Sequence, residues 1–188
     1  MGAHFFIHPG RRPDEALRSP ACDGASRGPE PDNALLRRAL EVQAGVSEAM
    51  IPLLFTDFLD RYPNVSIHVA NLGGTLPAVI ERMDHTVRTR SPGAPLPSEG
   101  VRRRVYVDCA SLGPHTLELA VAIYGAERIV FGTDCPIFRA DWTLAAVGQA
   151  RLAEADRAAI LSGNAEKLLE RFRVAGAGPR IRSSLRPR

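Results

Sequence analysis

Four short apolar runs, each followed by a polar residue and a turn, constrain the fold of this chain more than any other feature. They are AHFFI before His8, VSIHVA before Asn71, VYVD before Cys109 and RIVFGT before Asp134. Apolar residues at helical spacing separate the runs, and strands that alternate with helices predict a parallel sheet. Two architectures are compatible with this order: an open doubly wound sheet and a (β/α)8 barrel.

The segments between these runs predict the helices of the fold. We expect two helices in NALLRRALEVQAG and SEAMIPLLFTDFLDRY, with Ser47 as the cap of the second and Pro63 and Asn64 as its end. Further helices are predicted in TLPAVIERMDH, GPHTLELAVAIYG, ADWTLAAVGQARL, EADRAAILSG and NAEKLLERFR. Residues 10–33 and 86–104 predict long surface loops, and residues 175–188 predict a basic flexible tail after a domain at residues 1–174.

Length and composition limit the class of protein. A chain of 188 residues with 45% hydrophobic and 24% charged residues suits one globular domain. Much of its net charge of +3 comes from GVRRR and PRIRSSLRPR, where no aromatic residues stand among the arginines, so no nucleic-acid partner is expected.

No apolar run is long enough to span a membrane and no signal peptide is evident, which predicts a cytoplasmic protein. The spacing of Cys22, Cys109 and Cys135 suggests neither a disulfide framework nor a cysteine zinc site.

The strand ends supply the candidate functional residues. Parallel strands bring their carboxyl ends to one edge of a sheet, so we expect His8 and Asp134 to lie close together. An imidazole nitrogen and a carboxylate oxygen suit zinc, manganese or iron, and such a metal lowers the pKa of a bound water towards about 7. The alternative is that His8 is an ordinary loop residue before Pro9 and that Asp134 is a turn former that bonds its own backbone.

Other polar residues near the strand ends have simpler interpretations. The run NLGG lacks the spacing of a dinucleotide or phosphate loop, and its glycines indicate a tight turn. Counted from Asn71 by the strand period of two, His68 is predicted to pack against a helix. Asp108 is expected on the surface or against a helix, and Cys109 and Cys135 are expected to be buried as small hydrophobes.

From residue 4 to residue 172, the motifs resemble a known family. FFIHPG, YPNVSIHVANLGGTLPAVIERMD, VYVDCASLGPHTLELAVAIYGAERIVFGTDCP and AILSGNAEKLL are similar to the second half of the amidohydrolase-related metal-dependent hydrolases, which include aminocarboxymuconate semialdehyde and resorcylate decarboxylases. FGTDCP together with GNAEKLL is the most specific part. The resemblance implies a partial (β/α) barrel of the TIM type, with about four strands equivalent to the fifth through eighth strands of the family.

The resemblance also implies roles for individual residues. His8 matches the metal ligand on the family's fifth strand, and Asp134 matches the carboxylate on the eighth strand, which binds the metal and orients the water or the substrate. Asn71 stands where the family has its catalytic histidine, and Arg82 is expected to reach a substrate carboxylate. The expected cofactor is zinc, with manganese as the alternative.

Two departures from the family pattern bear on activity. Asparagine cannot take up a proton near pH 7, and the loss of a general acid or base costs on the order of 10² to 10⁴ in rate. The family's H-x-H ligand pair on the first strand has no counterpart here, and a full barrel has about 250 residues. We therefore expect a fragment of a longer gene, a half that a second copy in a homo-oligomer or a partner chain completes, or a degenerate product. The expected function is a metal-dependent hydrolase or decarboxylase domain for a small carboxylated or cyclic substrate, inactive in isolation; the alternative is a non-catalytic remnant that serves as a binding or assembly module.

Overall fold

A parallel sheet of four strands organises the fold. The computed structural model describes residues 3–10, 33–101, 105–110 and 112–175. The strands pair in the order in which they occur along the chain, and they are β1 (Ala3–Ile7), β2 (Val65–Val69), β3 (Val105–Asp108) and β4 (Ile129–Val130). The predicted parallel sheet is confirmed. A doubly wound sheet reverses its strand order at a switch point, whereas the uninterrupted order seen here is that of a barrel.

Helices connect the strands and cover the sheet. They are α1 (Ala34–Leu54), α2 (Leu76–Arg90), α3 (Pro97–Gly100), α4 (Pro114–Tyr124), α5 (Ala140–Gln149), α6 (Glu154–Ala158) and α7 (Asn164–Ala175). Short 3₁₀ turns occur at Phe58–Arg61, Asn71–Gly73 and Ala126–Arg128, and a π-helical turn at Ala159–Gly163 joins α6 to α7. Within the residues that the structure describes, no helix combines the length and the apolar character that crossing a bilayer requires.

The first helix differs from the sequence prediction. The sequence predicts two helices with Ser47 as a cap, but α1 is one continuous helix and Ser47 lies inside it. The Ser47 hydroxyl bonds the carbonyl of Gln43 one turn earlier at 2.9 Å and accepts the backbone N–H of Thr75 at 2.8 Å. The hydroxyl therefore bonds the preceding turn of its own helix and the chain before α2, and it does not start a new helix. The helix also ends at Leu54, well before Pro63.

Part of the predicted loop at residues 86–104 is helical. The helix α2 continues to Arg90, and α3 lies inside the expected loop. Buried Asp84 of α2 accepts the backbone N–H of Ser98 at 3.0 Å and so holds the first turn of α3. Burial tends to raise the pKa of Asp84, but hydrogen bonds from Ser98 and the nearby Arg88 charge lower it below its usual value.

Several predicted segments lie outside the described residues. They comprise residues 11–32 of the first loop, which include Cys22, residues 102–104 of the second loop and residues 176–188 of the tail. The proposed boundary between a domain at residues 1–174 and a tail at 175–188 falls at Ala175, where α7 ends.

The two faces of the sheet have different surroundings. One face packs against the helices in a single apolar core, which includes Ile67, Val69, Val105, Val107 and Ile129 from the strands and Met50, Ile80, Leu117 and Ile160 from the helices. Strand alternation places His4, Phe6, Ser66, His68, Tyr106 and Asp108 on the other face. Most of the helices cover this first face. On the other face, Tyr106 and Val130 pack against Leu168 of α7 in a small second cluster, and aromatic and polar side chains continue to the carboxyl ends of the strands.

Candidate functional site

The carboxyl ends of the four strands surround a cavity of about 350 Å³. This volume lies within the range of small-molecule sites, about 300 to 1,000 Å³. The polar side chains in its lining include His8, His68, Asn71, Asp108 and Asp134. Each strand, or the turn after it, contributes at least one of these groups, as a parallel sheet requires of a site at this edge.

His8 and Asp134 meet at the rim of the cavity. His8 Nδ1 lies 2.7 Å from the backbone carbonyl of Pro9, so this nitrogen carries the proton and donates it. His8 Nε2 lies 3.2 Å from Asp134 Oδ1. In a neutral ring that nitrogen holds a lone pair, and it therefore faces an oxygen that is also an acceptor. A proton or a metal cation between the two atoms would make this contact favourable.

The geometry of this pair fits part of a metal site. Two donor atoms that share one zinc ion at about 2.0 to 2.2 Å with tetrahedral geometry lie about 3.3 to 3.6 Å from each other, close to the 3.2 Å found here. Histidine ligands also usually donate their second ring nitrogen to a carboxylate or a carbonyl, as His8 does to Pro9. Among the described residues, however, no group of three or more His, Cys, Asp or Glu side chains could hold a metal ion. His8 and Asp134 therefore fit two positions of a site that needs further ligands.

The backbone at two of these positions is left-handed. Asn71 has φ 57° and Asp134 has φ 56°, a region in which Asn and Asp are enriched because their short polar side chains tolerate it. Leu72 also has a positive φ, 52°, and for such a residue this conformation is strained. Residues held in this way cluster at functional sites. The turn after β2 thus fixes Asn71 beside the cavity.

The two glycines of NLGG have a packing role. Gly73 and Gly74 have φ of 72° and 70°, and a Cβ on Gly74 would lie 2.1 Å from the backbone oxygen of Gln43 in α1. Only glycine allows the chain to turn this closely against the helix. The glycines thus form the tight turn that the sequence predicts.

A second histidine and carboxylate pair lines the same cavity. His68 Nε2 lies 3.0 Å from Asp108 Oδ2, and Asp108 is only 3% exposed. Asp108 Oδ1 accepts the backbone N–H of Asn71 at 2.9 Å and that of Ala110 at 3.0 Å. The ring of Phe6 stacks on His68 with centroids 4.5 Å apart. The carboxylate thereby links the ends of β2 and β3.

The predictions for His68 and Asp108 are wrong, because both side chains face the cavity. The period of two does not extend from Asn71 back to His68, since β2 ends at Val69 and the chain then turns. The alternation within the strand contains the missed signal: polar Ser66 and His68 alternate with Ile67 and Val69, which pack in the core.

The cysteines follow the sequence prediction in part. Cys109 is buried, and burial raises the pKa of its thiol to about 11, as expected of an inert core cysteine. Cys135 is exposed and lines the cavity, so the prediction that it is buried is wrong. It follows Asp134 in the loop after β4, where the chain has already left the sheet.

The structure does not bring Arg82 into this group. Its side chain is exposed on α2, and it does not line the cavity. His8, Asn71 and Asp134, by contrast, all line it.

Comparison with known proteins identifies relatives over most of the chain. A family model described as Amidohydrolase matches residues 1–171. A gamma-resorcylate decarboxylase from Rhizobium sp. (strain MTP-10005) is 30% identical over 135 residues, which is 66% of this chain and 39% of that protein. A protein of the same name from Rhizobium radiobacter is 30% identical over 128 residues, 63% of this chain and 38% of that protein. The chain thus spans about two fifths of the length of these curated relatives.

Solved structures share the fold. A 2,6-dihydroxybenzoate decarboxylase in complex with 2,6-dihydroxybenzoate has a TM-score of 0.63 at 23% identity, over 89% of this chain and 51% of that one. A dihydroxybenzoic acid decarboxylase from Polaromonas sp. JS666, with bound manganese and the inhibitor 2-nitroresorcinol, has a TM-score of 0.62 at 24% identity, over 88% of this chain and 49% of that one. The parallel strands and their helices correspond to about half of a TIM-type barrel, as the sequence predicts. With the family match at residues 1–171, this chain belongs to the amidohydrolase family.

Proposed function

We propose that this chain is part of a metal-dependent decarboxylase for carboxylated aromatic substrates. The observation that carries the proposal is the approach of His8 Nε2 to Asp134 Oδ1 at 3.2 Å, at the rim of the cavity. The names of the relatives support this reaction and substrate class, since they are decarboxylases of dihydroxylated benzoates. Hydrolysis, the other reaction predicted from the family resemblance, has no such support among these relatives.

The residues of the site would have distinct tasks. His8 and Asp134 would hold a divalent metal, which when bound would act as a Lewis acid on an oxygen of the substrate. The sequence predicts zinc, whereas one structural neighbour has bound manganese, so either ion is a candidate. Phe6 lines the cavity beside His68 and would contact the face of an aromatic ring. The role of Arg82 at a substrate carboxylate stays a prediction.

Completion of the site requires groups beyond those described. Because His8 and Asp134 supply two ligands, we propose that the remaining ligands come with the other strands of the barrel, from a longer chain or from a partner. The chain by itself is then expected to bind metal weakly and to be inactive.

A non-catalytic role is the second candidate. The observation that favours it is the absence of a complete ligand group from the described residues, together with Asn71 at the position of the family's catalytic histidine. In this case the fold would serve as a binding or assembly module.

Metal content is the experiment that tests the proposal. Bound zinc or manganese is measured by elemental analysis at equilibrium with an excess of the free ion, because a weakly held ion would be lost on dialysis. The purified wild-type chain is compared with the double variant His8→Ala/Asp134→Ala. We expect bound metal in the wild-type chain and its loss in the double variant, because the two donor atoms are then gone. The matched control is Glu81→Ala/His85→Ala, an acid and histidine pair exposed on α2 outside the cavity, which should keep the metal.

The outcomes separate the two candidate functions. Metal that depends on His8 and Asp134 supports the decarboxylase proposal and justifies an assay with 2,6-dihydroxybenzoate. Metal content that is equal in all three proteins, or absent from all of them, would count against it and favour the binding module.

A further inference from the structure

The pair of His68 and Asp108 has no task in the function proposed above. It lies inside the cavity and apart from the rim pair, on the inner faces of β2 and β3. Its carboxylate is buried, and its imidazole is stacked against Phe6. A buried carboxylate that bonds an imidazole in a ligand-sized cavity is an arrangement that can orient the ring for proton transfer.

The hydrogen bonds of Asp108 determine which nitrogen of His68 carries the proton. Asp108 Oδ1 accepts the backbone N–H groups of Asn71 and Ala110. Asp108 Oδ2 can then accept only from a protonated His68 Nε2, at 3.0 Å. Within the described part of the chain, no hydrogen bond engages Nδ1 of His68. The ring therefore has one nitrogen fixed by Asp108 and the other available to a ligand.

We propose that His68, oriented by Asp108, is the catalytic residue that transfers a proton to the substrate ring. This inference rests on the proposed function and assigns its proton-transfer step. Asn71 cannot carry a proton near neutral pH, whereas His68 can, and both line the same cavity. The protonatable group of this site thus lies on the strand, three positions before Asn71.

The proposed step is balanced by the release of carbon dioxide. His68 Nδ1–H donates its proton to the ring carbon that bears the carboxylate, and an electron pair of the hydroxylated ring forms the new C–H bond. The C–C bond to the carboxylate then breaks, its electron pair restores the aromatic ring, and CO₂ leaves. Neutral His68 recovers a proton from water. In this step Asp108 is a positioning residue that stabilises the protonated imidazole.

Other ionisable groups surround His68. On β1, the ring of His4 lies with its centroid 5.9 Å from that of His68, and burial followed by the His68 charge lowers the pKa of His4. On β3, Tyr106 is opposite His68 in the strand register and Asp108 bonds it. At the rim lie His8, Asp134 and the Cys135 thiol, which complete the ionisable groups among the described residues of the cavity lining. Of the two stacked histidines, His68 is the one that Asp108 bonds and therefore positions.

The first test needs no activity. In the metal-free chain, ¹⁵N NMR of the imidazole rings should show His68 protonated on Nε2 when neutral. Addition of 2,6-dihydroxybenzoate should shift its Nδ1 resonance, because the ligand enters the cavity that His68 lines. The resonances of His85, exposed on α2, should not move. The proposed role of His68 would be overturned by a proton on Nδ1 in the neutral ring. It would also be overturned by an Nδ1 resonance that does not shift when the ligand is bound.

The second test measures proton transfer without C–C cleavage. The metal-loaded chain, alone and mixed with a segment that carries the other four strands of a relative, is incubated with resorcinol in D₂O. Deuterium on the ring carbons is followed by mass spectrometry. His68→Gln keeps a hydrogen-bond donor to Asp108 but cannot transfer a proton, so exchange should fall by about 10² or more. His85→Gln is the control and should exchange at the wild-type rate.

A restored histidine distinguishes a catalytic role from a structural one. Asn71→His should recover much of the exchange lost in His68→Gln, because it returns a proton carrier to the same cavity. Exchange that is unchanged in His68→Gln would overturn the role of His68 while leaving the decarboxylase proposal intact. If the wild-type chain binds neither metal nor 2,6-dihydroxybenzoate even when it is mixed with the other four strands, the proposed function itself is contradicted.

Discussion

Asp108 holds the ends of the strands together through one buried carboxylate. It accepts hydrogen bonds from Nε2 of His68 on β2 and from the backbone N–H of Asn71 in the next turn. It also approaches the end of β4, where a Cβ on Gly132 would lie 2.8 Å from Asp108 Cβ. Because Gly132 has no side chain, the Asp108 carboxylate has room in this place. A glycine after β4 is thus needed for the position of a side chain on β3.

A side chain at residue 132 should displace Asp108. We expect Gly132→Ala to lower the free energy of unfolding by about 1 to 3 kcal/mol, because overpacking and the loss of buried hydrogen bonds act together. Urea unfolding followed by circular dichroism measures the change. Gly148→Ala is the control, since residue 148 lies in α5, where a Cβ would meet no atom within 4 Å, and alanine favours a helix. Equal stability of the two variants would contradict the packing role of Gly132.

The sequence predicts the position of a site residue only where the order of parallel strands is enough to place it. His8 and Asp134 directly follow the ends of parallel strands or their turns, so their proximity follows from the topology alone. His68 and Asp108 required the register of each strand, and a count that crosses the end of β2 gives His68 the wrong face. The left-handed turn at Asn71 causes that failure, because the period of two applies only within a strand.

At the scale of elements, the sequence predicts types better than extents. The apolar spacing of residues 34–54 predicts helix, but Ser47 suggests the start of a second helix that does not exist. Its partner Thr75 lies 28 residues away, so no local pattern could show that the hydroxyl fastens α1 to the turn before α2. The same holds for α3, which depends on Asp84 of α2. Tertiary contacts thus decide where these helices begin and end.

The contact between α4 and the chain after α5 makes stability depend on pH. Glu118 of α4 bonds the guanidinium and the backbone N–H of Arg151, and these bonds lower the pKa of its carboxyl from 4.5 to about 2. Because the folded-state pKa is depressed, this contribution to stability is present above pH 4.5 and is lost as the pH falls towards 2.

Replacement of Glu118 should flatten that dependence. In Glu118→Gln, the melting temperature should fall less steeply than in the wild-type chain between pH 4.5 and about 2, because the titrating group is gone. Differential scanning calorimetry at several pH values measures it. Glu81→Gln, exposed on α2, is the control and should keep the wild-type slope. A parallel slope in Glu118→Gln would show that the Arg151 contact does not couple to folding.

At the scale of the whole molecule, alternation of strands and helices predicts the parallel sheet, and the family resemblance is what selects half of a barrel over a doubly wound sheet. The sequence does not show what pairs with the free edges of the two outer strands. Among the described residues, β1 pairs only with β2, and β4 only with β3. Phe5 and Phe6 on the edge strand β1 are 57% and 54% exposed, which is unusual for two adjacent aromatic residues. Both the unpaired edge and the exposed rings are what a half barrel would present to its other half.

Association with that other half is therefore expected to depend on β1. When the chain is mixed with a segment that carries the first four strands of a curated relative, light scattering after gel filtration should show a 1:1 complex. Phe5→Ser should raise its Kd by about 10- to 100-fold, since burial of a phenylalanine contributes about 1.5 to 3 kcal/mol. Val79→Ser, at an exposed site on α2 of the central crossover, should leave the Kd unchanged. If the two substitutions weaken binding equally, or if the chain forms only dimers with itself, the strand edge at β1 does not receive a complementary half.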